Sequence, residues 1–138
     1  PGGGNDNPGG NNDDSDDEIM SNKLRITIGS SSFDATLEDN ETVKAFKKLL
    51  PMTVNMPDLN RNEKYYYLSG SLPTAASNPG TILTGDLMLY GSNCVVLFYE
   101  SFSTSYSYTR LGRVNNSSGL ASALGSGSVT VTFELQKE

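Results

Sequence analysis

Apolar residues fall at every second position near both ends of this chain. Leu24, Ile26 and Ile28 share one side of a six-residue stretch, with Lys23, Arg25 and Thr27 on the other. Val129, Val131 and Phe133 alternate in the same way with Thr130, Thr132 and Glu134. A period of two matches a half-buried strand, and a slip of one residue would turn the whole apolar set toward water. Between these ends, Phe33, Ala35 and Leu37 repeat the alternation after the turn-forming residues 29–32, giving a hairpin partner. Cys94-Val-Val-Leu-Phe-Tyr99 is the most apolar run in the chain and predicts a central strand buried on both faces. Glu63-Lys-Tyr-Tyr-Tyr-Leu68, 81–90 and 108–114 read as further β-prone segments, whereas 53–59 is ambiguous because Pro57 argues against a central strand.

Helical signals are few. Asp39 or Asn40 can cap a helix with Glu41 in its first turn, and Val43, Phe46, Leu49 and Leu50 form its apolar stripe before Pro51 ends it. Residues 117–124 predict a short second helix closed by Gly125. Both helices are explained by core packing alone. Many short strands with Gly-rich turns point to a mainly β fold, a barrel or sandwich of about eight strands with two short helices. Residues 69–80, rich in Ser, Gly, Pro and Ala, read as a long surface loop of the kind that often carries function.

Residues 1–18 contain no aromatic or aliphatic side chain and are built almost entirely from Gly, Asn, Asp, Ser and Pro. Such a segment buries too little apolar surface to offset its ordering entropy. We therefore expect residues 1–22 to be a disordered acidic tether and residues 23–138 to be the folded domain. Six of the 16 acids lie in the tether, which has no base, so ten acids face ten bases in the rest of the chain. A formally neutral domain whose only basic bunch is Lys44, Lys47 and Lys48 excludes duplex nucleic acid as the expected partner. No stretch has the length and apolarity of a membrane-spanning helix. The chain opens on Pro1, and its Gly/Asn/Asp-rich start resembles the region after the lipidated cysteine of bacterial lipoproteins. The corresponding expectation is a domain of the cell envelope or exterior, membrane-tethered through a lipidated N-terminus upstream of this sequence. An ordinary linker to an upstream domain is the alternative.

The chain has one cysteine and no histidine. That removes an internal disulfide, a Cys/His metal site, a Cys-His dyad and a Ser-His-Asp triad. Cys94, flanked by apolar residues, reads as a small core residue. The acidic run 13–17 lacks the spaced ligands of a calcium loop, and no phosphate loop or dinucleotide fingerprint occurs. No cofactor is expected.

Glu63-Lys-Tyr-Tyr-Tyr-Leu68, Asn78-Pro-Gly-Thr-Ile82, Gly85-Asp-Leu-Met-Leu-Tyr-Gly91, Leu97-Phe-Tyr99, Ser103-Thr-Ser-Tyr106 and Tyr108-Thr-Arg-Leu-Gly-Arg-Val114 follow one another in an order that resembles the bacterial cyclophilin-like domain family. The resemblance runs from Leu24 to Phe133. It implies a closed cyclophilin-like β-barrel whose ends are covered by helices, and it supplies a fold more firmly than a function. True cyclophilins are peptidyl-prolyl isomerases in which a guanidinium donates to the proline nitrogen as amide resonance is lost. By resemblance, that Arg stands upstream of a Gly-Asp pair. Here the pair is Gly85-Asp86, the upstream position is Ala75, no Arg occurs between Arg61 and Arg110, and Trp and His are absent. The expectation is a non-catalytic module that binds a peptide or small molecule. A weak isomerase using Arg110, or an accessory domain of a larger protein, are the alternatives. Candidate ligand-binding residues are Tyr65, Tyr67, Tyr99, Phe102, Tyr106, Tyr108 and Arg110, with a pocket expected between the 69–80 loop, 102–108 and Arg110. Glu63, Lys64 and Glu100 are candidate polar anchors there, or plain surface charges.

Overall fold

A computed structural model describes residues 21–137; the acidic tether expected over 1–22 lies outside the described residues except for Ser21 and Asn22. Those two belong to the domain. Ser21 is buried, its hydroxyl accepts from Lys23 N–H at 3.0 Å, and Asn22 C=O accepts from Leu37 N–H at 2.8 Å.

The alternating segments become strands as expected. In chain order these are β1 (Lys23–Ile28), β2 (Ser31–Leu37), α1 (Glu41–Lys47), β3 (Met52–Met56), β4 (Asp58–Leu59), β5 (Glu63–Tyr67) and β6 (Thr81–Ile82). They continue with β7 (Asp86–Tyr90), β8 (Cys94–Phe98), β9 (Phe102–Ser103), β10 (Thr109–Val114), α2 (Leu120–Leu124) and β11 (Val129–Leu135). Nine strands form one antiparallel sheet in the order β3-β11-β1-β2-β10-β7-β8-β5-β4, and β6 pairs with β9 separately.

The sheet curls into a nearly closed barrel. Its first and last strands, β3 and β4, are successive parts of one segment separated only by Pro57. β3 pairs with β11 (Val54 opposite Val131), β4 pairs with β5 (Asp58 opposite Lys64), and Tyr65 N–H donates to Pro57 C=O at 3.1 Å. The strand count is nine rather than eight because proline lacks the N–H that would continue the ladder. That residue splits one stave into two, and each half serves a different edge.

Inside the barrel, Leu24, Ile26, Leu37, Val54, Leu87, Val95, Leu97, Val131 and Phe133 form one core. Helix α1 adds Val43 and Phe46, whose ring meets Phe133 edge-on at 6.3 Å; α2 adds Leu120 and Leu124. Asn40 caps α1 by accepting from Val43 N–H at 2.8 Å. The helix is shorter than its apolar stripe. Lys48 and Leu49 bond back three residues, to Ala45 and Phe46, so the last turn tightens and Leu49 stays 42% exposed. Gly112 is required where β10 crosses β2, since a Cβ there would stand 2.5 Å from Thr36 C=O. Among the described residues, no helix is long and apolar enough to cross a membrane.

Candidate functional site

Strand β8 is buried on both faces, as its composition predicts. Val95 and Leu97 point into the barrel, while Cys94, Val96 and Phe98 point outward into a second, smaller apolar cluster with Ile82, Met88 and Tyr108. The outer face is covered by β6, with the loop before it, and by the chain that follows β8. Ile82 of β6 pairs with Phe102 of β9, Ser77 and Tyr108 exchange two backbone bonds of 2.9 Å, and Thr104 N–H donates to Gly80 C=O at 2.9 Å. The 69–80 loop thus braces the 102–108 segment from behind.

Between this cover and the outer face of β5 and β8 lies a cleft of about 490 Å3. The register defines its floor and walls. Cys94 sits between Tyr67 on β5 and Tyr90 on β7; one step along, Val96 sits between Tyr65 and Met88. Small residues on the central strand and tyrosines on its neighbours make a trough about 9–10 Å across from strand to strand. Tyr90 also touches Tyr106 and Tyr108 of the cover, with ring centroids 6.0 and 5.6 Å apart, and Tyr65 meets Tyr67 edge-on at 5.8 Å. Tyr67 and Tyr106 are 62% and 61% exposed, so much of each ring is free to meet a ligand.

Glu63 lies at the β4 end of the trough. It is only 9% exposed, and among the described residues no hydrogen bond to its carboxyl is found. Burial, with the nearby charge of Asp58, pushes that carboxyl up from its ordinary 4.5 to about 7. Beside it, Asn62 also lines the cleft, while its Oδ1 is turned away from solvent and has no hydrogen-bond partner among the described residues. Both follow a tight turn in which Asn60 and Arg61 have φ of 56° and 57°, a conformation that disfavours a side chain as large as Arg. Asp58 Oδ2 steadies that turn by accepting from Arg61 N–H at 3.0 Å. Burial raises the Cys94 thiol, which suits a floor residue and not a nucleophile.

Of the seven residues expected to bind a ligand, Tyr65, Tyr67, Phe102, Tyr106 and Tyr108 line this cleft. Tyr99 does not. It follows Phe98 and so faces the barrel interior, where its hydroxyl donates to Asp58. Arg110 does not either: it sits in a separate depression with Thr36, Glu38 and Arg113. A bulge between Arg110 and Gly112 resets the register of β10 there. The 69–80 loop contributes no lining residue. Lys64 and Glu100 are also absent from the lining, Lys64 being buried on the inner side and Glu100 exposed. Tyr90, Cys94 and Asn62 belong to the site although the sequence did not single them out. Strand parity is the signal that points to Tyr90, since it shares with Met88 the face opposite Leu87 and Leu89. Among the described residues, no group of acidic and cysteine side chains could hold a metal ion.

The cyclophilin-like family pattern matches residues 26–134, nearly the whole barrel. This chain belongs to the cyclophilin-like family. Among solved structures, the cyclophilin-like domain is similar to the solution structure of a hypothetical protein from Archaeoglobus fulgidus. The two are 21% identical, with a TM-score of 0.63 over 85% of this chain and 96% of the other, a likeness of fold. No curated protein matches the chain.

The Glu63 shift gives the first prediction. Below about pH 4.5 the carboxyl is protonated folded or unfolded. Between 4.5 and about 7 the unfolded chain releases the proton while the folded domain keeps it. Stability therefore falls as pH rises through that window and is level above it. The expected fall is about 1–3 kcal/mol, and Glu63→Gln should abolish it. Urea denaturation of both proteins across the window measures this, and parallel profiles would refute it.

Proposed function

We propose that this cyclophilin-like domain is a non-catalytic binding module and that the tyrosine-walled cleft on the outer barrel face receives its ligand, a peptide side chain or a small molecule. The observation that carries the reading is the pairing of open aromatic walls with one largely buried carboxyl, Glu63, to which no hydrogen bond is found among the described residues. A desolvated carboxyl without a partner gains from a ligand that supplies a donor to it. A wider depression of about 800 Å3 beside α1 pairs the lysines Lys44, Lys47 and Lys48 with Leu50, Pro51, Pro73 and Leu135 and holds no aromatic ring.

The isomerase alternative requires a guanidinium at the proline amide. No Arg is among the residues lining the cleft, and Arg110 lies on another part of the barrel. A preorganised donor at developing charge is worth about 2.7–4 kcal/mol, so its absence removes most of the catalysis. The expected result is no acceleration of cis-trans exchange in a short X-Pro peptide, with Arg110→Ala indistinguishable from the parent. A rate above background that disappears in Arg110→Ala would establish the isomerase. Backbone amide shifts recorded against a panel of short peptides should move at Tyr65, Val96 and Tyr106. Shifts confined to α1 would move the site elsewhere. The envelope setting is part of the same proposal, and fractionation of cells expressing the full gene, with a label for acylation, tests it.

A further inference from the structure

The proposed binding cleft presents acceptors and aromatic faces but no cationic side chain. Its lining includes Glu63, Asn62 and tyrosine rings, with no Lys or Arg. Lys64, the neighbour of Glu63, points to the opposite face of β5 and spends its ammonium on Asp58, Gly125 and Gly127 inside the domain. Burial first, and the charge of ionised Glu63 with it, raises both the Tyr108 hydroxyl and the Cys94 thiol. Among the described residues that line the trough, Glu63, itself 9% exposed, is the acidic one and no Lys or Arg opposes it, so its ionised form makes that end of the cleft negative.

We infer that the cleft recognises a primary alkylammonium group, its nitrogen donating to the Glu63 carboxylate and its short apolar chain lying along the trough over Val96 and Cys94 between the tyrosine walls. The inference rests on the cleft being the binding site and names the chemistry of what it takes. Three features select this ligand. An ammonium carries several N–H donors, which the two oxygens of the Glu63 carboxylate can accept. Its charge is favoured by a desolvated carboxylate and by the faces of neighbouring tyrosines. The floor of small side chains leaves room for a methylene chain but offers it no polar partner. A neutral alcohol supplies one donor and no charge, and a carboxylate ligand meets repulsion from Glu63.

The titration of Glu63 gives this reading its own signature. The groups facing it are Asp58 from β4, Cys94 from β8, Tyr108 from the cover, and Tyr65 and Tyr67 on its own strand. An alkylammonium stays protonated while Glu63 ionises, so binding tightens as pH rises and releases a proton where Glu63 is still protonated.

The test uses the full chain with n-butylammonium, n-butanol and tetramethylammonium as probes, followed by amide shifts and by calorimetry in two buffers of different ionisation enthalpy. Butylammonium should bind about tenfold more tightly near pH 8 than near pH 5.5, with its shifts centred on Glu63, Tyr65 and Val96. n-Butanol should bind about tenfold more weakly at the higher pH, and tetramethylammonium should fall between the two because it keeps the charge and lacks the donors. Glu63→Gln should remove the pH dependence and the proton release, and Tyr67→Ala, at an exposed ring, should weaken binding without unfolding the domain. Equal binding of butanol and butylammonium in the cleft, or an affinity that is flat with pH, overturns the ammonium inference and leaves a binding cleft. Absence of all probes and of the peptide panel from the cleft overturns both.

Discussion

Lys64→Met is expected to destabilise the domain by about 3–5 kcal/mol, the usual result of removing one partner from a buried charge pair. Lys64 is fully buried, and its ammonium is completely engaged. One N–H meets Asp58 Oδ1 at 3.1 Å, one meets Gly125 C=O at 2.8 Å, and the third meets Gly127 C=O. The nitrogen also lies 5.2 Å from the centre of the Tyr99 ring. Dehydrating an ammonium is costly, so the pair stabilises only because every donor is matched. Methionine keeps the stem but leaves two carbonyls and a carboxylate short of a partner. Asp58 shows the same balance from its own side. Burial alone would raise its carboxyl, yet hydrogen bonds from Tyr99 and Lys64 outweigh that and hold it below the usual range. The Tyr99 hydroxyl is correspondingly pushed up to about 12, by burial first and the Asp58 bond second. Urea denaturation measures the loss; a change under about 1 kcal/mol would mean that the ammonium is not what joins β5 to the chain between α2 and β11.

The adjacent pair Glu63 and Lys64 illustrates what a sequence conceals. Two neighbouring opposite charges read as a solvated surface pair. In the barrel they are buried on opposite faces of one strand, because β5 alternates and both of its faces are covered. Lys64 serves the interior and Glu63 serves the cleft. Alternation itself was legible wherever one face met water, as in β1 and β11, and the apolar run of β8 correctly announced burial on both sides. The physical reason for the second burial, a cover supplied by β6, β9 and the 102–108 segment, depends on contacts distant in sequence, and no local pattern encodes it.

The candidate site was legible in part for the same reason. Tyr65 and Tyr67 share a face by simple parity, and their neighbours across the cleft come from the aromatic run 102–108. Parity also separates Tyr99 from Cys94 and Val96, so its place in the interior follows once β8 is assigned. Arg110 is different. The bulge near Leu111 is a feature of strand pairing, and it places the Arg110 side chain away from the tyrosines. The β3/β4 split follows from Pro57, yet the closure it permits depends on β3 and β4 reaching different edges of the sheet.

Phe98→Ala is the second large effect, about 3–5 kcal/mol, and its consequences should be uneven across the molecule. Phe98 is fully buried beneath the cover, where its ring meets Phe102 at 5.7 Å and Tyr108 at 5.6 Å. It belongs to the smaller apolar cluster, which consists of the outer face of β7 and β8 and the chain lying on it. The main core inside the barrel does not include it. A cavity at this position therefore removes much of what holds the cover while leaving the barrel interior packed. Amide exchange should lose protection first at Thr104, Ser77 and Tyr108, whose N–H groups bond across the cover. The amides joining β1 to β11 should stay protected until global unfolding. Because Phe102, Tyr106 and Tyr108 ride on that segment, ligand binding in the cleft should weaken even at temperatures where the barrel is intact. Phe98→Leu, which leaves a smaller cavity, should lose less of both. Uniform loss of protection across cover and barrel would show that the two apolar clusters unfold as one unit, and that the cleft wall has no independent stability to lose.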